Sequence, residues 1–259
     1  MIKPAFGHDQ TFPLKVTIDL SSFIASYTLR HKLFLFDLDD TLLDYQASEQ
    51  FAFMQVMQEV AGLGNATELL SEYQTINFAL WRQFEAGAIS ADFLKTERFR
   101  QTFQAAGLAL DHHRAGHLYF ESFASTAILV DGAREVCEAL SGLGEVGVMT
   151  NGVHAVQSSR LAASGLLDHI SFVSTSQACG FAKPDVRFFE HATRMARSSE
   201  KSEMVLIGDR LEADIFGANR YGIESCWFNS GRLENRSTVE PTYEVNCLRD
   251  LVAVLKADR

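Results

Sequence analysis

Five short apolar runs punctuate the chain: "KLFLF" (32–36), "EVGVMT" (145–150), "ISFVS" (170–174), "EMVLIG" (203–208) and "IESCWF" (223–228). They are apolar on successive positions rather than on alternate ones, as a strand covered on both faces must be. Each run leads into a turn and then a helical pattern, which predicts a doubly wound α/β core with a parallel sheet. Glycines stand at two helix-to-strand joints, Gly165 in "LAASGLLDHI" and Gly222 in "NRYGIES", where a left-handed residue closes a helix. Pro184 is expected in the first turn of a helix, with Lys183 extended before it.

Between residues 45 and 127 the rhythm changes. The segments "SEQFAFMQVMQEVAGL", "TELLSEYQTINFALWRQFEAG", "SADFLKTERFRQTFQAAGL" and "DHHRAGHLYFESFAST" carry helical periodicity and no clear strand. Ser90 and Asp111 suit N-caps, and so does Asp131 in "VDGAREV" further on. The expected organisation is an α/β core of residues 32–44 and 128–259, with an all-helical cap, residues 45–127, inserted after the first core strand. Residues 1–31 form an N-terminal extension, in which "LKVTIDL" (14–20) alternates like an edge strand or packing arm.

Bulk properties narrow the function. The chain has 259 residues, 47% hydrophobic and 22% charged, the make-up of an ordinary globular protein. A net charge of -10 argues against a general nucleic-acid binder, which needs a basic surface, but leaves room for a small anionic substrate. Cys137, Cys179, Cys226 and Cys247 form no CxxC pair and read as separate reduced thiols. The histidines lack metal-ligand spacing, and His112-His113 reads as a solvated helix start. No apolar run approaches ~20 residues, so no membrane span is expected. The N-terminus shows no secretory pattern, and the cytoplasm is the expected compartment.

The informative stretch is "KLFLFDLDDTLLD" (32–44), where Asp37, Asp39 and Asp40 follow a buried strand. Three like charges there oppose folding unless a cation neutralises them. If strand geometry persists, Asp37, Asp39 and Thr41 point to one side. Ligands of open α/β sheets bind beyond the carboxyl ends of the strands, and other strand ends there carry "MTNG" with Thr150, Asn151 and Gly152, and "GDRLEAD" with Asp209 and Asp214. Lys183 lies between them in "FAKPD". Taken singly, each of these residues has an ordinary structural reading; their joint occurrence in this order does not.

This set, "DLDDT", Thr150 in "MTNG", Lys183 in "AKPD" and "GDRLEAD", resembles the haloacid dehalogenase superfamily, specifically its Mg²⁺-dependent phosphatases with a helical cap after the first strand. The resemblance implies that Asp37 is the nucleophile, forming an aspartyl-phosphate that water hydrolyses. It implies a Mg²⁺ cofactor held by Asp37, the backbone carbonyl of Asp39 and Asp209, with Asp214 as an outer ligand or a partner of Lys183. Asp39 becomes the acid that protonates the leaving oxygen and then the base for water. Thr150 and Lys183 hold phosphoryl oxygens, Thr41 positions Asp39 and the phosphate, and Asn151 and Gly152 offer N–H donors from the opening of the next helix. Asp40 is taken as a turn or capping carboxylate.

The cap segment "INFALWRQFEAGAISADFLKTERF" (76–99), together with "DLDDT" in place of the commoner DxDGT, is similar to the bacterial pyrimidine 5′-nucleotidases of the superfamily. That implies a nucleoside 5′-monophosphate as the small phosphorylated partner, its base stacked on Trp81 and Phe84; the alternative for that pair is packing within a helix. Other readings of the same fold are a phosphoglycolate or sugar-phosphate phosphatase, a phosphomutase, a binding or regulatory protein, and a 2-haloacid dehalogenase. Asp39 speaks against the last, which has no leaving alkoxide to protonate.

Overall fold

The structure is a computed structural model describing residues 29–63, 66–197 and 200–256; the N-terminal stretch 14–20 lies outside the described residues. Its organising element is β1 (Leu33–Phe36). Period two sends Phe34 and Phe36 into one hydrophobic cluster and Leu33 and Leu35 into another, so both faces of the strand are buried.

Four helices follow: α1 (Tyr45–Ala61), α2 (Thr67–Glu85), α3 (Ala91–Ala105) and α4 (His112–Ser125). Their ends are fixed locally. Asp44 caps α1 by accepting from the Ala47 N–H at 2.8 Å, and Ser90 caps α3 from the Phe93 N–H at 3.2 Å. Asp111 accepts from the His113 and Arg114 N–H groups, both at 3.0 Å. The helices share a core of their own around Phe53, Tyr73, Phe99 and Tyr119, whose rings lie 4.7–6.4 Å apart.

The chain then returns through α5 (Ala133–Ser141), β2 (Glu145–Thr150), α6 (His154–Ser164), β3 (Phe172–Thr175), α7 (Ser176–Cys179) and α8 (Val186–Met195). Next come β4 (Met204–Gly208), a π-helical turn (Leu211–Ile215), α9 (Phe216–Tyr221), β5 (Glu224–Phe228), β6 (Tyr243–Val245) and α10 (Leu251–Lys256). All pairings in the sheet are parallel, in the order β3-β2-β1-β4-β5-β6. One face is covered by α5, α6 and α10 through Val136, Leu140, Leu161, Leu251 and Leu255, the other by α8 and α9 through Phe188, Phe189, Ala192 and Ala218.

Gly165 and Gly222 end their helices at φ 70° and 86°, as the sequence predicts. Two local expectations fail. Asp185, not Pro184, starts α8: its carboxylate accepts from the Arg187 N–H at 2.9 Å, and Pro184 precedes the cap. Asp131 does not cap α5; Gly132 at φ 86° holds that position, and the Asp131 carboxylate pairs with Arg249 Nη2 at 2.7 Å instead.

Candidate active site

Register decides what meets at the sheet edge. Phe36 is paired with Val148 on β2 and Ile207 on β4, so the next residues, Asp37, Met149 and Gly208, stand level where all three strands run out. The Asp37 N–H still bonds to Ile207 O at 2.9 Å, which holds its carboxylate at the carboxyl edge. Asp37, Asp209 and Asp214 each offer a carboxylate oxygen there, all within 4.8 Å of one another. Gly208 makes the approach possible: a Cβ there would lie 2.5 Å from the Asp214 carboxyl carbon. Asp214 sits in the π-helical turn, where its Oδ2 also accepts from the Arg210 N–H at 3.0 Å.

Lys183 reaches this cluster from the segment before α8. Its ammonium donates to Asp37 and to Met149 O at 2.8 Å, and stands 2.7 Å from Asp214 Oδ1 as an ion pair. Two of its three protons are thereby engaged, and Asp214 Oδ1, though close, is buried without a hydrogen-bond donor of its own. Asn151 fixes its backbone, accepting from the Lys183 N–H at 2.8 Å and donating to Lys183 O at 3.0 Å.

Three acids face this one cation, and the electrostatics register the excess. Burial raises Asp37 to about 7, with Asp214 and Asp39 adding to it and Lys183 opposing. Burial, then Asp37 and Asp214, push Asp209 well above the ordinary carboxylate range. Burial works against the charge on Lys183, but Asp214 and Asp37 outweigh it and hold the ammonium above its usual range. A buried set of carboxylate oxygens with too little counter-charge suits a hard divalent cation.

The remaining predicted residues fall in different places. Asp39 lines the cavity above the cluster, its carboxylate paired with Arg160 and accepting from Gln157 Nε2 at 2.5 Å. Thr150 Oγ1 accepts from the Gly152 N–H and from Gln157 Nε2, both at 3.1 Å. The Gly152 N–H is thus engaged within the protein, and α6 opens only at His154, so Gly152 is not the donor at a helix opening that the sequence suggests. The Thr41 hydroxyl donates to Asp209 Oδ1 at 3.5 Å rather than to Asp39. Asp40 has φ 58°, and its carboxylate accepts from the Tyr45 N–H at 2.9 Å, the turn role expected of it. Burial, aided by Asp39, raises Asp40 to about 6.

The cavity has a volume of about 560 Å³ and extends from the acidic cluster to the inner side of α1 and α2. Trp81 lines it; Phe84 does not. Phe84, three residues further along the helix, packs edge-on against Trp81 at 5.3 Å instead of facing the cavity, so the pair is not a double stacking platform. Phe78, 65% exposed, supplies the second aromatic wall.

Sequence reasoning passed over several residues here. Gln157 and Arg160 occupy the buried stripe of α6 with Val156 and Leu161, and two polar residues three apart on such a stripe were the available signal. Glu49 on α1 is buried in the cavity wall, accepting from Tyr45 Oη at 3.0 Å, Asn77 Nδ2 at 2.7 Å and Gln74 Nε2 at 3.0 Å. Glu85, at the end of α2, joins Arg210 at 2.9 Å and Asn151 at 3.2 Å, tying the helical segment to the sheet edge.

The pyrimidine 5′-nucleotidase PynA of Streptococcus pneumoniae is 34% identical over 226 residues, covering 87% of this chain and 95% of PynA. The pyrimidine 5′-nucleotidase YjjG of Escherichia coli is 29% identical over 220 residues, covering 85% and 96%. The magnesium-bound crystal structure of YfnB from Bacillus subtilis superimposes with a TM-score of 0.79 at 31% identity, covering 87% of this chain and 99% of that one. The profile of the haloacid dehalogenase-like hydrolases matches residues 31–222, and the chain belongs to that family of hydrolytic enzymes.

Proposed function

We propose that the chain is a Mg²⁺-dependent phosphomonoester hydrolase acting on nucleoside 5′-monophosphates through an aspartyl-phosphate on Asp37. The observation that carries this reading is the convergence of Asp37, Asp209 and Asp214 around Lys183, with Asp39 at the same strand edge.

Asp37, Asp209 and Asp214 would hold the metal, with the Asp39 backbone carbonyl as a further oxygen ligand. A carboxylate approaching a phosphate dianion meets ~4 kcal/mol of repulsion per unit pair at ~4 Å and an effective dielectric of ~20. When bound, Mg²⁺ supplies the positive charge that offsets this repulsion. An Asp37 oxygen attacks phosphorus while the bond to the leaving oxygen breaks. Asp39 gives that oxygen its proton and, as a carboxylate, takes one from the water that attacks the aspartyl-phosphate, releasing phosphate and restoring Asp37. Thr150 and Lys183 steady the phosphoryl oxygens.

The helical segment acts as a cap that keeps bulk water from the reacting centre. A cavity of about 560 Å³ suits a small metabolite, with Phe78 and Trp81 as the apolar wall for a base. PynA and YjjG, named as pyrimidine 5′-nucleotidases, support that substrate class. The test is phosphate release from a panel of nucleotides, phosphoglycolate and sugar phosphates, with Mg²⁺ and with EDTA. Release from nucleotides that EDTA abolishes supports the reading. Turnover unaffected by EDTA, or metal-free halide release from 2-chloropropionate, overturns it.

A further inference from the structure

We propose that Gln157 and Arg160 are positioning residues for Asp39, holding its carboxyl group for proton transfer to the leaving oxygen. This inference rests on the phosphatase reading above.

Both carboxylate oxygens of Asp39 are held from one helix, α6. Oδ1 pairs with Arg160 Nη1, and Oδ2 accepts from Gln157 Nε2 at 2.5 Å. The two helix residues are themselves joined, Arg160 Nη1 donating to Gln157 Oε1 at 3.2 Å. Gln157 Nε2 also donates to Thr150 Oγ1 at 3.1 Å, so a single amide sets the spacing between the acid and the phosphoryl-holding hydroxyl. Gly152 leaves the room that this amide needs: a Cβ there would stand 2.7 Å from Gln157 Cδ.

Arg160 has no freedom to serve elsewhere. It is fully buried, with Nε donating to Thr126 O at 3.3 Å, Nη2 to Ser48 Oγ at 3.5 Å, and its guanidinium 4.3 Å from the centre of the Phe123 ring. Burying a guanidinium is costly, and an apolar side chain would fill the space between α1, α4 and α6 more favourably. The charge at position 160 has its counterpart in Asp39. Held from both oxygens, Asp39 keeps one orientation whether it carries the proton taken from the attacking water of the preceding turnover or, having delivered that proton to the leaving oxygen, is the carboxylate that pairs with Arg160.

A positioning role differs from a structural one in its dependence on the leaving group. A nucleoside 5′-alkoxide needs a proton as its bond to phosphorus breaks; para-nitrophenolate leaves without one. The full-length chain with Mg²⁺ is assayed for kcat/KM on a nucleoside 5′-monophosphate and on para-nitrophenyl phosphate. Arg160→Gln is expected to lose about 10²-fold on the nucleotide and less than about 5-fold on the aryl ester, the size of a general-acid contribution. Arg160→Lys recovers part of the nucleotide activity. Gln157→Met, which removes the amide that meets both Asp39 and Thr150, loses some activity on both esters but clearly more on the nucleotide, and serves if Arg160→Gln proves unfolded by circular dichroism. Equal losses on both esters in folded variants overturn the inference. A wild-type enzyme releasing phosphate from neither ester overturns the phosphatase reading itself, and this inference with it.

Discussion

Replacing Lys183 with methionine keeps an unbranched stem as far as Cε and removes the ammonium that stands between Asp37 and Asp214. Three carboxylates then face one another within 4.8 Å. At an effective dielectric of ~20, like charges ~4 Å apart repel by ~4 kcal/mol, and three such pairs would reach ~12 kcal/mol. That rivals the ~5–15 kcal/mol stability of a whole domain, so the carboxyl groups take up protons instead. The net loss settles near the ~3–5 kcal/mol of a buried pair stripped of one partner, or roughly 10 °C in Tm. Thermal melts in EDTA at pH 8 and pH 5 read this directly. The deficit of Lys183→Met against wild type is expected in full at pH 8 and reduced at pH 5, where protonated carboxyl groups need no counter-charge. Phosphate release falls by about 10²–10³-fold, as when a charge-stabilising donor is lost. A variant melting within about 2 °C of wild type at pH 8 in EDTA would refute the claim that Lys183 neutralises the cluster.

The metal-free wild type carries a related pH dependence. Asp37 titrates at about 7 in the folded chain against an ordinary 3.8, so its contribution to stability is complete below pH 4 and is lost as pH rises through 7. Melts in EDTA should therefore fall across this window, and the stabilisation by millimolar Mg²⁺ should grow across it, because a bound cation favours the ionised form; a Mg²⁺ shift that shrinks with rising pH contradicts this. In the cavity, Trp81→Ala should raise KM for a nucleotide by roughly 10-fold, the worth of one base-aromatic contact, and leave KM for para-nitrophenyl phosphate nearly unchanged. Phe84→Ala, whose ring packs against Trp81 from outside the cavity, should have the smaller effect in the same assay.

The sheet was legible because its strands are buried on both faces: "KLFLF" and "EMVLIG" leave few other ways to hide so many consecutive apolar residues. β6 was not, since Tyr243–Val245 is three residues long with one exposed at its centre, too short for a period to show. Asp37, Thr150 and Asp209 were legible because they sit at the last position of a predicted strand or immediately beyond it, where topology alone brings them to one edge. Gln157 and Arg160 lie on a helix whose phase against the sheet is set by packing, and a polar residue on a helix is ordinarily solvated. The same ambiguity concealed Glu49 and led to pairing Phe84, rather than Phe78, with Trp81 in the cavity wall. Thr41 shows the limit of extrapolating strand alternation. The chain turns at Asp40 with positive φ, and the Thr41 hydroxyl swings from Asp39 towards Asp209.

Borohydride trapping of the enzyme during turnover puts the chemistry of Asp37 to the sharpest test, because an acyl phosphate is reduced to an alcohol and a free carboxylate is not. With Mg²⁺ and a nucleoside 5′-monophosphate present, peptide mass spectrometry should find homoserine in place of Asp37, and omission of either component should abolish it. Steady phosphate release with Asp37 unmodified, or undiminished release by Asp37→Asn, would contradict the account.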